Sequence, residues 1–296
     1  MQVHLVDGTF ELFRCFYGAP TRLTPAGVDV GATRAFVGSM LTLLKDATHA
    51  GVAFDTVIES FRNALFAGYK TGDGIDGALR AQMPLVEQAG RALGLVTWSM
   101  IDHECDDALA TMAVRAAADP RVERVNICSP DKDLAQVVSG ERVVLVDRIR
   151  EKMLDEQGVV AKFGVPPRLI PDLLALVGDE ADGVPGLPGF GLKGAAAALN
   201  RFGALERIPP PPWPDDAAIR GAGRLAATLD ARRDDAALFK RLTTLVVDVP
   251  LTTSVDDLRW RGPDDAALAA LAAALHDDGL VVRVQKAWRK HPNAAA

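Results

Sequence analysis

The sequence predicts an α/β fold, with a central, mostly parallel sheet, flanking helices and a helical region after it. Three observations carry this reading. Five short apolar runs have the length of buried strands. Amphipathic stretches separate them, and strands that alternate with helices form a parallel sheet. After about residue 155 the strand pattern fades and helical spacing takes over.

The first strand is VHLVD (3–7). GVAFD (51–55), LVTWSM (95–100), RVNICS (124–129) and RVVLVD (142–147) follow it. Helical spacing between them covers 31–47, 78–93, 105–118 and 132–138. Further helices are expected at 155–163, 167–177, 192–202, 217–229 and 234–245. PPPPWP (209–214) reads as a stiff surface connector. The alanine-rich stretch 264–279 is one more helix, and RVQKAWRKH (283–291) is a basic tail. That tail could hold duplex phosphate, but its plainest reading is a solvated terminus.

A chain of 296 residues, 49% hydrophobic and 24% charged, is globular and can bury a large core. No apolar run reaches the length of a membrane span, so no membrane partner is expected. The N-terminus enters a strand at once and lacks the basic and apolar segments of a secretion signal. Cys15, Cys105 and Cys128 are odd in number and widely spread. They point to reduced thiols and a cytoplasmic location. The net charge of −6 argues against a generally basic coat for nucleic acid, though not against a local one.

The acids fall at particular places. Asp7 and Asp55 close the first two strands. Glu104, Asp106 and Asp107 follow the third, and Asp131 and Asp133 follow the fourth. In a parallel sheet the carboxyl ends of the strands share one edge, where ligands bind. Each junction alone reads first as a helix cap, the default use of such residues. Four together fit capping poorly, because packed like charges repel unless cations neutralise them. Carboxylates without histidines or thiolates nearby suit Mg²⁺ or Mn²⁺ rather than zinc. His103 lies beside them as a packed or surface residue.

VGDEADGVPGLPGFGLKGA (177–195) adds Asp179 and Asp182, followed by glycines and prolines. Alone it reads either as a turn between helices or as a metal and phosphate site. No Gly-rich loop follows LVDGTF and no lysine-containing phosphate loop is present, so a nucleotide-binding enzyme lacks support.

LVDGTFELFR, FDTVIESFRNALFAGYK, HECDDALATMA, SPDKDLAQVV and the long motif ending GLKGAAAAL resemble, in order and spacing, the 5′-nuclease domain of bacterial DNA polymerase I and the related flap endonucleases. The resemblance covers roughly residues 3–250 and rests on five separated motifs. It implies a PIN-like nuclease core over 1–164 with a helical arch around 58–82, a helix–hairpin–helix region over 165–262, and a C-terminal helix and tail over 263–296. The chain then looks like a stand-alone member and a monomer.

The resemblance also implies nine metal carboxylates, Asp7, Asp55, Glu104, Asp106, Asp107, Asp131, Asp133, Asp179 and Asp182. Glu104, Asp106, Asp131 and Asp133 are assigned to the inner shell. The others would act directly or through water. The implied reaction is DNA phosphodiester hydrolysis with two ions, leaving a 5′-phosphate and a 3′-hydroxyl. The substrate would be DNA with 5′ flaps or free 5′ ends, with an RNA–DNA hybrid as a further candidate. Asp7, Arg14, Asp55 and Lys70 would be catalytic. Arg14, Arg62, Tyr69 and Lys70 would grip the strand, Tyr69 by stacking on a base. Gly186, Gly189, Gly191 and Lys193 would meet duplex phosphate at the hairpin, with K⁺ assisting.

Two departures from relatives stand out. TGDGIDG (71–77) places Asp73 where positive charge is usual, which implies a flexible, anionic arch. Gly183 stands where an asparagine usually follows the last metal aspartate. The acidic arch leaves room for a competing reading, a branched-DNA-binding protein with weak or no nuclease activity.

Overall fold

The computed structural model describes residues 1–214 and 219–295. In chain order, β1 (Gln2–Asp7) leads into α1 (Gly8–Gly18) and α2 (Gly31–Leu43). Next come β2 (His49–Asp55), α3 (Phe61–Leu65), α4 (Gly77–Ala92), β3 (Val96–Met100), α5 (Cys105–Ala118) and β4 (Arg124–Cys128). A 3₁₀ turn (Asp133–Val137) precedes β5 (Val143–Asp147) and β6 (Lys152–Leu154). Helices α6 (Glu156–Phe163), α7 (Ile170–Val177), α8 (Leu192–Phe202), α9 (Ala222–Ala231) and α10 (Arg233–Thr243) follow. The chain ends with α11 (Asp265–Ala274) and α12 (Leu280–Arg289).

The five expected strands are present within about two residues at each end. Strand β6, α1 and α3 are additions. The helix expected over 132–138 is a 3₁₀ turn. The helix expected at 217–229 is observed from Ala222; its first two residues lie outside the described residues.

The chain forms two compact units. The first comprises Met1–Ile58, Gly72–Ser129 and Val247–Ala296. Here β3, β2, β1 and β4 lie side by side, all parallel. Register pairs Leu5 with Gly51 and with Ile127. Leu5, Val52 and Ile127 are fully buried, as are Phe36 and Met40 of α2 and Leu109 and Met112 of α5. Burial on both faces explains why these strands read as continuous apolar runs.

The C-terminal segment is folded, not a solvated tail. Leu280 and Val284 of α12 are buried. Trp288 meets Trp260 edge to face with ring centroids 5.1 Å apart. The Asn293 amide donates to the Thr48 and Trp260 carbonyls at 2.9 and 2.8 Å. The lysines and arginines of 283–291 thus line a helix whose apolar stripe is spent on packing.

The second unit comprises Glu59–Thr71 and Pro130–Val246. Strands β5 and β6 pair antiparallel, Leu145 opposite Leu154. Helices α7 and α10 pack on each other, and α8 packs on α7. In the proline connector the prolines are exposed but Trp213 is buried, its indole N–H donating to the Pro209 carbonyl at 2.8 Å.

Candidate functional site

In the first unit, Asp7 ends β1 and caps α1. Its Oδ1 accepts from the Phe10 N–H and its Oδ2 from Ser129 Oγ, both at 2.8 Å. At the end of β2, Asp55 Oδ1 accepts from the Cys105 N–H at 2.7 Å. Glu104 caps α5, and its N–H donates to Asp107 Oδ2 at 3.0 Å. The same carboxylates satisfy helix starts and gather at the strand ends.

Asp7, Asp106 and Cys105 bring ligand atoms within 4.8 Å of one another. The thiol was not expected in this set. Burial first, then the charges of Asp7, Asp55 and Asp106, pushes Cys105 well above the usual thiol range. Its Sγ lies 3.3 Å from the Ala53 carbonyl oxygen and 3.6 Å from Asp7 Oδ1, the two acceptors within its reach. Asp107, expected among the metal ligands, is fully buried and closes the start of α5. Asp55 and Glu104 lie outside the converging set.

In the second unit, Asp133, Asp179 and Asp182 converge, again within 4.8 Å. Asp131 stands just outside, with its Oδ1 accepting from the Asp133 N–H at 2.8 Å. Asp133 is 5% exposed, and its Oδ1 has no hydrogen-bond partner. Burial first, then the charges of Asp131, Asp182 and Asp179, raises its pKa well above the carboxylate range, against the pull of Lys132. An orphaned, buried oxygen among carboxylates is a donor that a hard divalent cation fits.

Two lysines meet this cluster. Lys132 Nζ lies 2.6 Å from Asp179 Oδ2, and Lys70 Nζ lies 3.0 Å from Asp182 Oδ1. Burial lowers the Lys132 pKa, but the hydrogen bond to Asp179 and the charges of Asp179, Asp133 and Asp131 outweigh it, so the net shift is upward. Lys132 was missed from sequence, although it sits between the two acids of SPDKD.

The loop after α7 is shaped by its glycines. The Asp179 and Val184 backbones exchange hydrogen bonds of 2.7 and 2.8 Å. Gly183 has φ +72°, and a Cβ there would fall 2.2 Å from the Gly68 carbonyl oxygen. A side chain there would therefore require the 68–70 backbone to shift. Gly186 is buried, its Cβ position filled by the Val177 and Gly178 backbone, so it closes the loop and does not open to a phosphate. Gly189, Gly191 and Lys193 are exposed at the start of α8. A cleft of about 640 Å³ there is lined by Lys162, Lys193 and Arg201.

Two strand-gripping residues are corrected. Arg62 is 1% exposed, with Nε and Nη2 donating to the Leu242 and Thr244 carbonyls at 2.8 and 3.0 Å. Tyr69 is 3% exposed and cannot stack on a base from there. Sequence patterning gives no sign that an arginine will be used as an internal tie. Arg14 is partly exposed and held by buried Glu11 and by Ser39 Oγ, the latter at 3.0 Å. The acidic stretch 71–76 forms turns, and Asp76 caps α4 through the Ala78 N–H at 2.7 Å.

Over 278 residues the chain is 37% identical to DNA polymerase I of Pseudomonas aeruginosa, covering 90% of this chain but 30% of that protein. The chain thus spans about 30% of that relative's length. It is 29% identical to a 5′-3′ exonuclease of Aquifex aeolicus, over 97% of this chain and 96% of the relative. Its fold matches a bacteriophage T5 flap endonuclease solved as a pseudo-enzyme–product complex with DNA and metal ions, with TM-score 0.66 and 17% identity over 97% of this chain and 99% of that one. Residues 2–164 match the 5′-3′ exonuclease N-terminal resolvase-like domain, and residues 165–266 match the 5′-3′ exonuclease C-terminal SAM fold. The chain belongs to the 5′-3′ exonuclease family.

Proposed function

We propose that the chain hydrolyses DNA phosphodiester bonds at 5′ flaps or free 5′ ends, with Mg²⁺ or Mn²⁺, leaving a 5′-phosphate and a 3′-hydroxyl. The carrying observation is the Asp133–Asp179–Asp182 cluster with its orphaned Asp133 oxygen. Asp7 and Asp106 are the oxygen donors of the second set, which supports two ions. Bound there, divalent ions would lower the pKa of water and offset charge on the phosphate and the departing oxygen. Arg14 and Lys70 are the cations assigned to the phosphate. Gly189, Gly191 and Lys193 are assigned to duplex phosphate, with K⁺ beside them. DNA and metal ions accompany the T5 flap endonuclease in its crystal structure. An RNA–DNA hybrid is a second substrate class.

No described helix is long and apolar enough to cross a membrane. Three buried cysteines outside any disulfide support a reducing, cytoplasmic setting, where the protein would act as a monomer.

The test is a 5′-labelled flap duplex incubated with protein, with Mg²⁺ and with chelator. Wild type should release labelled product only with Mg²⁺, and Asp179→Asn should lose about a hundredfold or more. Cleavage that persists in chelator would refute the metal assignment. The acidic turn 71–76 favours one second reading, a protein that binds branched DNA and cuts it poorly. Tight flap binding without product in Mg²⁺ or Mn²⁺ would select it.

A further inference from the structure

Asp179 carries two contacts that determine how a cation can reach it. Its Oδ1 accepts from the Ala181 N–H at 3.2 Å, inside the tight 179–184 loop. Its Oδ2 meets Lys132 Nζ at 2.6 Å. The Asp179 side chain is 4% exposed, so water offers its oxygens little alternative solvation. A divalent ion that takes Asp179 as a ligand must share an oxygen with the backbone or with the ammonium. The backbone contact is fixed by the loop. The ammonium stands on a flexible four-carbon stem that is 37% exposed and can swing outward. Sharing Oδ2 between an ammonium and a divalent ion would press two cations together in a poorly screened place.

We propose that Lys132 is the resident counter-ion of the Asp133–Asp179–Asp182 cluster, and that a divalent cation exchanges with it at Asp179. The freed ammonium then meets a phosphate oxygen of the incoming strand. Lys132 is thus a positioning residue that competes with metal before it helps to hold substrate. Asp133 Oδ1, buried and without a hydrogen-bond partner, is the point of entry, because a cation there breaks no hydrogen bond. Only the phosphate contact rests on the nuclease reading. The exchange concerns metal binding alone.

The experiment titrates the full-length protein, without DNA, with Mn²⁺ and follows free Mn²⁺ by electron paramagnetic resonance. Lys132→Met removes the competitor, so one site should bind Mn²⁺ about fivefold tighter or more. Lys132→Arg keeps the charge and should bind as wild type does. Unchanged or weaker binding in Lys132→Met would overturn the exchange. A second measurement uses only folded wild-type protein and Mg²⁺. The Lys132 ammonium proton signal, protected by its ion pair, should collapse into exchange with water on saturation. Its persistence at saturating Mg²⁺ would also overturn the proposal. Tighter Mn²⁺ binding in Lys132→Met together with no DNA cleavage would support the exchange while refuting the nuclease reading. No Mn²⁺ binding in any variant would overturn both.

Discussion

Ser129 Oγ donates a 2.8 Å hydrogen bond to Asp7 Oδ2, tying the residue after β4 to the last residue of β1. Both residues are buried, Asp7 at 6% and Ser129 at 1% exposure. A buried carboxylate that loses a donor keeps its desolvation cost. Ser129→Ala should therefore lower stability by about 1.5–3 kcal/mol, measured by urea unfolding. An unchanged unfolding midpoint would show that Asp7 does not depend on this contact.

Arg62 gives a second test. Its guanidinium ties the Leu242 and Thr244 carbonyls. Arg62→Ala should destabilise by about 3 kcal/mol or more, as buried polar groups are left unpaired. Arg62→Lys should rescue little, because one ammonium cannot reproduce the planar fork. A variant with wild-type stability but weakened DNA binding would restore the surface reading of this residue.

Gly183→Asn should be harmful. The new Cβ meets the Gly68 carbonyl at 2.2 Å, and that oxygen belongs to backbone. A loss of about 2–3 kcal/mol is expected in thermal or urea unfolding. A neutral effect would mean that the 68–70 backbone yields readily.

Asp133 makes stability depend on pH in a definite direction. Burial and neighbouring carboxylates raise its folded pKa above the unfolded value. The folded state therefore holds the proton more tightly, and stability falls as pH rises from the unfolded pKa through the folded one. In chelator, Asp133→Asn should be more stable than wild type at pH 7, and the gain should shrink as pH falls toward about 4. A variant less stable than wild type at pH 7 would show that the Asp133 carboxylate is already well compensated.

Much of this was legible in the sequence, for physical reasons. Strands buried on both faces produce apolar runs, and the acids that close them mark the strand ends. Asp7, Asp106, Asp133, Asp179 and Asp182 were each found this way or through the family resemblance, and the structure gathers them into two sets. What was hidden depends on side-chain direction. Arg62 and Tyr69 read as strand-gripping residues but are buried. The basic composition of 283–291 masked the stripe of α12 that carries Val284 and Trp288. Strand β6 is three residues long and carries no pattern of its own. The compact units are discontinuous in sequence, because the chain passes between them after Ile58, Thr71, Ser129 and Val246.

The central claim is that these carboxylates are metal ligands. A crystal grown with Mn²⁺ and measured for anomalous scattering tests it directly. One peak should lie within about 2.0–2.6 Å of oxygens of Asp133, Asp179 and Asp182, and a second beside Asp7 and Asp106. Lys132 Nζ should have left Asp179. Anomalous maps with no peak at either cluster at saturating Mn²⁺ would contradict the claim.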